Sequence, residues 1–178
     1  MTDRKTRVLR VPIPLIAALA VGMFLVACGD EQQPESADDD AAEATDLDAK
    51  PAVASFLPED RGDPPDEPDY TDVVEGDGQE AVRGSVVSVH YVGVRWVDGV
   101  EFDASWDRGQ LFTFEIGAGR VIRGWDEGVE GMRVGGRRIL VLPPEWAYGE
   151  GGAGDLIGPN ETLVFVVDLV DVDPASVG

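Results

Sequence analysis

The residues whose types and spacing point most clearly to chemistry lie in the stretch 121–132, which reads VIRGWDEGVEGM. Val121, Trp125, Val129 and Met132 recur at steps of three or four, the spacing of one face of a helix. On that face Trp125 would supply a large apolar surface with a single hydrogen-bond donor. Packed against a sheet, it would form either part of the core or the floor of an apolar pocket. The stretch alone leaves both interpretations open.

Three glycines, Gly124, Gly128 and Gly131, interrupt this pattern. A glycine in a helix interior costs up to about 1 kcal/mol relative to alanine. Several of them in one short segment therefore predict close packing of the helix against a neighbouring element.

The segments around this helix predict strands that would position it. Residues 86–96 alternate between two faces, as in a half-buried strand. Asp98-Gly99 is suited to the positive φ of a tight hairpin, and the returning strand begins at 101–103. Further strands are expected at 111–116, 137–142 and 162–170, and the last is apolar enough to lie in mid-sheet. These elements predict an α+β fold, with a twisted antiparallel sheet of about five strands wrapped around one short helix.

Acidic residues dominate the composition. The 178 residues include 35 acidic and 14 basic ones, which gives a formal net charge of -21. Nucleic-acid binding requires a positive footprint, which this chain lacks, so the acidity indicates a solvated surface. One histidine and one cysteine supply no zinc ligand set, and no calcium-loop spacing is present. No metal and no cofactor are expected.

Residues 1–27 predict a secretory signal of the lipoprotein type. Four basic residues precede an apolar run at 11–27, the order of a signal peptide. The run leads into Cys28 through Leu-Val-Ala, which resembles the bacterial lipobox, whose cysteine is lipid-modified and becomes the new N-terminus. A buried thiol or a simple membrane anchor is the alternative. Because Cys28 is the only cysteine, no intramolecular disulfide is possible.

Residues 28–69 predict an extended tether behind the lipidated cysteine. They combine acidic runs with scattered prolines and almost no aromatic residues. Such composition cannot bury enough apolar surface to fold, and its charge keeps it extended. A disordered tether would then hold a globular domain, 70–178, away from the membrane. An acidic interaction tail is the alternative.

A series of short motifs in residues 70–172 resembles, in order, the FKBP-type peptidyl-prolyl cis/trans isomerases, the family that binds tacrolimus and rapamycin. Each motif is weak alone, but the ordered set is specific. The main motifs are GDG at 76–78, VHYVG at 89–93, FDAS at 102–105, VIRGW at 121–125, AYG at 147–149 and TLVF at 162–165.

The resemblance implies that Trp125 is the floor of an apolar pocket. It implies walls made by Tyr91, Phe102, Phe112, Val121, Ile122, Tyr148 and Phe165. Asp103 would be the charged group at the pocket edge, with Arg108 as its partner. The Ile122 backbone N–H and the Tyr148 hydroxyl would donate hydrogen bonds to the bound peptide. We therefore expect Asp103, Tyr148 and Ile122 to act in catalysis and the other residues to bind substrate.

Rotation about an X-Pro bond needs no acid, base or nucleophile. Amide resonance sets a barrier of ~18–20 kcal/mol, and the twisted transition state has lost that resonance. An apolar cavity disfavours the polar planar amide more than the twisted one, which is differential binding of the transition state. Asp103 would either stabilise the altered charge or shape the pocket through Arg108. No residue is expected to act as a covalent catalyst.

The leading functional hypothesis is a monomeric isomerase, lipid-anchored outside the cytoplasmic membrane, that assists the folding of exported proteins. A non-catalytic module that binds a Pro-containing segment of an envelope partner is the alternative, and a purely structural lipoprotein is a third hypothesis. Two features depart from the family pattern: the glycine-rich loop 149–158, which predicts a mobile flap, and Trp106, an additional candidate for an exposed aromatic side chain.

Overall fold

The computed structural model describes residues 47–57 and 62–173. The predicted signal, Cys28 and the first part of the predicted tether lie outside the described residues. The sheet contains six antiparallel strands. They are β1 (Asp69–Val74), β2 (Val86–Arg95), β3 (Glu101–Ala104), β4 (Phe112–Glu115), β5 (Arg137–Leu142) and β6 (Leu163–Asp173).

The strand order is β1-β5-β6-β2-β3, and β4 pairs with the first half of β2. The long apolar strand β6 lies between β5 and β2, as its composition predicts. In the part of the chain that the structure describes, two α-helices accompany the sheet, α1 (Ser105–Arg108) and α2 (Arg123–Gly128), and short 3-10 turns lie at Val53–Phe56, Pro144–Trp146 and Gly149–Gly151. The predicted α+β fold is confirmed. Within the described ranges, no helix is long and apolar enough to cross a membrane.

β1 is a strand that the sequence pattern does not predict. Its burial is intermediate along nearly its whole length, so it lacks the alternation that marks β2. It is held to β5 by its ladder and by Asp72, whose carboxylate accepts from Arg138 Nε and Nη2 at 2.6 and 2.9 Å. An ion pair with a distant residue thus helps to hold β1 in the sheet, although the hydrophobic pattern of this strand is weak.

The central helix α2 is shorter than the apolar spacing over 121–132 suggests, because regular helix ends at Gly128. Val129 and Met132 nevertheless continue its buried face, at 0% and 2% exposure. The close packing predicted from the glycines is present. A Cβ at Gly124 would collide with the Leu142 side chain of β5, and one at Gly128 would lie 2.9 Å from Leu140.

The sheet has a second apolar face, directed away from α2. Valines on β2 and β6 form a buried cluster there, including Val92 and Val166. Residues 47–57 cover this cluster, with Val53 and Leu57 exposed by only 6% and 8%. This cover explains why β2 is buried on both faces in its second half, whereas its first half alternates.

Ionic contacts hold the same segment to the start of β3 and to α1. Lys50 Nζ lies 2.9 Å from Glu101 Oε1 and 2.8 Å from Asp107 Oδ1. The Ala49 carbonyl accepts a hydrogen bond from Arg137 Nη2 at 3.5 Å. The sequence places this segment in an extended tether, and here the structure differs. Its few apolar residues are enough to cover a sheet face that would otherwise be exposed.

We expect Val53→Asp to lower the free energy of unfolding by about 1–3 kcal/mol, the scale of one buried aliphatic side chain. The aspartate would expel the segment and expose the cluster beneath it. Urea denaturation of the full chain measures the loss, and proteolysis near residue 50 reports the release. Ala52→Asp adds the same charge at an exposed neighbouring position and is the matched control. Equal stability of the two variants would contradict the packing role.

Candidate functional site

A cavity of about 370 Å³ lies between α2 and the concave side of the sheet. Every site residue implied by the sequence resemblance lines it, except Arg108, which pairs with Asp103 at its edge. The lining consists of Tyr91, Phe102, Asp103, Phe112, Gly119, Arg120, Val121, Ile122, Trp125, Tyr148 and Phe165. The cavity settles the choice left open for Trp125, since its side chain belongs both to the core and to a pocket.

Aromatic rings surround Trp125 in edge-to-face contacts. The ring centroids of Tyr91, Phe165 and Phe112 lie 5.0, 5.3 and 5.7 Å from it, at interplanar angles of 84–89°. Such pairs contribute about 0.5–1.5 kcal/mol each beyond the burial of their area. Because α2 and three strands supply these rings, the pocket is a product of tertiary packing.

Gly93 on β2 makes room for two of the walls. A Cβ at this position would lie 2.6 Å from Phe102 Cζ and 2.9 Å from Phe165 Cε1. Any larger residue would push those rings toward the cavity. The glycine in the VHYVG motif is therefore part of the shape of the pocket.

The edge of the cavity carries a three-membered polar cluster. Asp103 on β3 accepts short hydrogen bonds from the Tyr91 hydroxyl and from Arg108 Nη1. Arg108 Nη2 donates to the Tyr91 hydroxyl oxygen at 2.8 Å. Helix α1 brings Arg108 back over β2, and Ser105 Oγ at its start accepts from the Tyr91 N–H at 2.8 Å. The one carboxylate at the pocket edge is thus neutralised and held in place.

The hydroxyl groups of the site remain protonated at neutral pH. Burial and the hydrogen bond to Asp103 raise the pKa of Tyr91 to about 12. Burial and the charge of Asp103 also raise the pKa of Tyr148. The hydrogen bond to Tyr91, followed by the pairing with Asp103, raises the pKa of Arg108. The Tyr91 and Tyr148 hydroxyls and the Arg108 guanidinium therefore remain hydrogen-bond donors at neutral pH.

We expect the stability of the protein to fall between about pH 10 and pH 12 because of Tyr91. Its pKa is higher in the folded state than in the unfolded chain, so its contribution is complete below about pH 10 and is lost as the pH rises through about 12. The full contribution is roughly 2–3 kcal/mol. Urea denaturation across this range should show the loss, and Tyr91→Phe should remove that part of it. Parallel pH profiles of the two proteins would contradict the assignment.

The loop before α2 is held by a buried carboxylate. Asp126 accepts hydrogen bonds from the Gly117 and Gly119 N–H groups, both at 2.9 Å. This anchor fixes the segment that places Ile122, the residue that caps α2, at the cavity. It also places Arg120, which sequence reasoning missed. An isolated cation in a loop, directly before the VIRGW motif, gives no signal of its own.

The glycine-rich loop 149–158 follows Tyr148, which is 41% exposed at the rim of the cavity. Paired backbone hydrogen bonds between Ala153 and Ile157, at 2.9 and 3.2 Å, close a turn within it. Ile157 packs into the main core. Ala153 also packs against this core, and Arg95 Nη1 donates to the Leu156 carbonyl at 3.2 Å. The loop for which the glycines predict mobility is thus fastened at several points.

Trp106 does not lie free on the surface. Its ring stacks on His90 with 4.0 Å between centroids, and its indole nitrogen is buried. His90 Nδ1 lies 2.9 Å from Ser105 Oγ, so the single histidine is packed between Trp106 and Ser105. The prediction that Trp106 is an exposed aromatic side chain is therefore wrong. The sequence pattern does not indicate the stacking, because His90 and Trp106 are distant in the chain.

Comparisons with known proteins identify the arrangement. Residues 78–170 match the family described as FKBP-type peptidyl-prolyl cis-trans isomerase. An FK506-binding protein of Streptomyces anulatus is 57% identical over 112 residues, covering 62% of this chain and 90% of the relative. A probable FK506-binding protein of Corynebacterium glutamicum is 49% identical over 109 residues, covering 61% and 90%.

A solved structure shares the fold. The crystal structure of AtFKBP13 superimposes with a TM-score of 0.57 at 40% sequence identity, covering 62% of this chain and 96% of that one. The matched family region contains every residue of the cavity. The chain therefore belongs to the FKBP-type peptidyl-prolyl cis-trans isomerases.

Proposed function

We propose that the cavity binds a proline-containing segment of an unfolded or folding exported protein and catalyses rotation of its X-Pro bond by favouring the twisted amide. The observation that carries this proposal is the ring of aromatic side chains around Trp125, closed at one edge by a single neutralised carboxylate. Uncatalysed rotation takes tens to hundreds of seconds, so secreted chains that contain proline would benefit.

The proposed mechanism relies on solvent exclusion. A planar amide in water is stabilised by resonance and by hydrogen bonds to solvent, and an apolar wall replaces that solvent. The twisted amide loses less on this transfer, so the transition state is bound more tightly than the ground state. In this scheme the Ile122 N–H and the Tyr148 hydroxyl orient the peptide. Asp103, held by Arg108 and Tyr91, keeps the edge of the pocket in shape.

The proposed site of action is the outer side of the cell membrane, with the protein held there by lipid on Cys28. The support is the order of basic, apolar and cysteine-containing segments at 1–28. The acidic stretch before residue 47 would serve as the tether. A lipid anchor would keep the isomerase beside the point at which exported chains emerge. Tacrolimus and rapamycin are proposed as ligands because the relatives are named for binding FK506.

The test of the activity is isomerisation of a short X-Pro peptide by the purified full chain in detergent. We expect catalysis that tacrolimus or rapamycin inhibits by competing for the cavity. Tight binding of peptide or drug without any increase in rate would instead support a non-catalytic binding module. Absence of both binding and catalysis would contradict the proposed site.

The test of the location is membrane fractionation of cells that express the chain or its Cys28→Ser variant. We expect the unaltered protein in the membrane fraction and the variant outside it. Retention of the variant in the membrane would refute a lipid anchor at this position and favour an uncleaved apolar segment as the anchor.

A further inference from the structure

A second groove continues the active-site cavity along β4. Its volume is about 360 Å³, and it shares Phe112, Arg120 and Val121 with the cavity. β4 supplies most of its remaining wall, including Glu115. Among the described residues β4 pairs with β2 and with no other strand. A peptide that enters the cavity therefore has an open path beside a sheet edge that lacks a second partner.

Arg120 stands at the junction of the cavity and this groove. Every other lysine or arginine within the described ranges lies within 4 Å of a carboxylate. Arg120 forms no such pair with any described residue. Glu115 lines the same groove, yet no ion pair joins it to Arg120. The positive charge is thus available to a ligand.

The neighbouring charges leave Arg120 as the dominant one at this end of the site. Asp103, on the other side of the cavity, is neutralised by Arg108. Arg83, which packs beside Gly117 in the same loop, pairs with Glu130 at 3.3 Å. Arg123 pairs with Glu127 at 2.9 Å and lies over the Trp146 ring. A ligand at the junction would meet Arg120 as the one cation without an ion pair among the described residues, whereas the carboxylate of Glu115 lines the groove but not the cavity.

The backbone that carries Arg120 is held in place. The two hydrogen bonds from Gly117 and Gly119 to the nearly buried Asp126 fix the loop on its N-terminal side. Helix α2 begins three residues after Arg120 and fixes the loop on the other side. A guanidinium on a fixed backbone loses less freedom when it binds a carboxylate, and it can do so through two parallel hydrogen bonds.

We propose that Arg120 is a specificity residue that selects X-Pro segments carrying an aspartate or glutamate beside the proline. Arg120 lines the cavity itself and successive Cα atoms are 3.8 Å apart, so an acidic residue next to a proline in the cavity would lie near its guanidinium. The overall charge of -21 repels acidic peptides at long range, so a preference for them has to come from a local contact. This inference rests on the proposed binding of X-Pro segments in the cavity.

The test compares kcat/KM for three peptides that differ only in having Glu, Ala or Lys next to proline, each placed before and after it in separate series. For the full chain at 0.15 M salt we expect the Glu peptide to exceed the Ala peptide by roughly three- to tenfold in one of the series. Arg120→Ala should bring this ratio to about one, and Arg120→Glu should make the Lys peptide the better substrate. For each variant, kcat/KM with the Glu or Lys peptide is divided by kcat/KM of the same variant with the Ala peptide, so a general change in activity cancels.

Arg123→Ala is the matched control. It removes the same charge three residues away, from a side chain that is already paired, and it should keep the Glu preference. The inference is overturned if the unaltered chain shows no preference in either series. It is also overturned if Arg120→Ala and Arg123→Ala reduce the ratio equally, because net charge would then explain it.

Calorimetry measures the dissociation constants of the same peptides. The ratio of the affinities for the Glu and Ala peptides gives a readout that does not require turnover. If the chain binds the peptides but catalyses none, the proposed isomerase activity fails. The affinity ratio for Glu over Ala then still decides the role of Arg120. A ratio near one overturns it, and a ratio that Arg120→Ala abolishes supports it.

Discussion

Replacing Trp125 by alanine is expected to lower kcat/KM for X-Pro isomerisation at least tenfold per folded molecule. A tenfold loss corresponds to about 1.4 kcal/mol of transition-state binding. The indole is 4% exposed and lies against Tyr91, Phe112 and Phe165. Its removal opens the floor of the cavity to water, and water restores the solvation of the planar amide. A peptide isomerisation assay measures the loss, with the folded fraction determined by circular dichroism.

The same substitution should also reduce the free energy of unfolding by about 3–5 kcal/mol, the usual cost of removing a large buried aromatic side chain. Val129→Ala separates the two effects. Val129 is fully buried one turn along the same face, yet it does not line the cavity. It should destabilise the protein by roughly 1–3 kcal/mol and leave the rate per folded molecule unchanged. Equal losses of rate in both variants would show that the indole acts only through stability.

Replacing Arg137 by alanine is expected to lower the free energy of unfolding by about 3–5 kcal/mol, as much as the loss of the Trp125 indole. Its guanidinium is fully buried and binds Asp168 through Nε and Nη2, at 2.5 and 2.8 Å. These residues face each other on the central strands β5 and β6. Removing the cation leaves a buried carboxylate without its main partner. Chemical denaturation at pH 7 measures the effect.

Two further results would show that the uncompensated charge is the cause. Burial raises the pKa of Asp168, against the opposing effect of Arg137. Because a raised pKa in the folded state favours that state at low pH, the deficit of Arg137→Ala should shrink as the pH falls toward about 4. The double variant Arg137→Met, Asp168→Leu should recover much of the lost stability. A deficit that neither low pH nor the double variant reduces would instead indicate lost packing.

Much of the fold is readable from local patterns. The alternation in β2, the Asp98-Gly99 hairpin and the apolar run of β6 predict the strands that form the centre of the sheet. Gly99 has a φ of 72° and donates to the Arg95 carbonyl at 2.8 Å, as the hairpin requires. β1 and the cover formed by residues 47–57 are not readable in this way. Their stability comes from distant contacts, with Arg138 and with the outer face of the sheet.

The residues of the site are readable only through resemblance. Phe102 and Asp103 are neighbours in the chain but lie 45 or more residues before Tyr148, and each of the three has an ordinary interpretation as a core, turn or loop residue. Arg120 belongs to none of the motifs that carry the resemblance, so the sequence does not indicate a role for it. These residues share one cavity because β3, the loop before α2 and the segment after β5 meet there.

By itself, the sequence determined the α+β class, the short helix with its tryptophan, the hairpin, the central position of β6 and, by its ordered motifs, the family. It did so because these features depend on local periodicity, turn chemistry and the order of short motifs. Only the tertiary structure decided that Trp125 floors a cavity and that residues 47–57 cover the outer face. It also decided that Arg120, beside the pocket, forms no ion pair with any residue of 47–57 or 62–173. Those features depend on which distant side chains meet, and spacing along the chain does not specify such contacts.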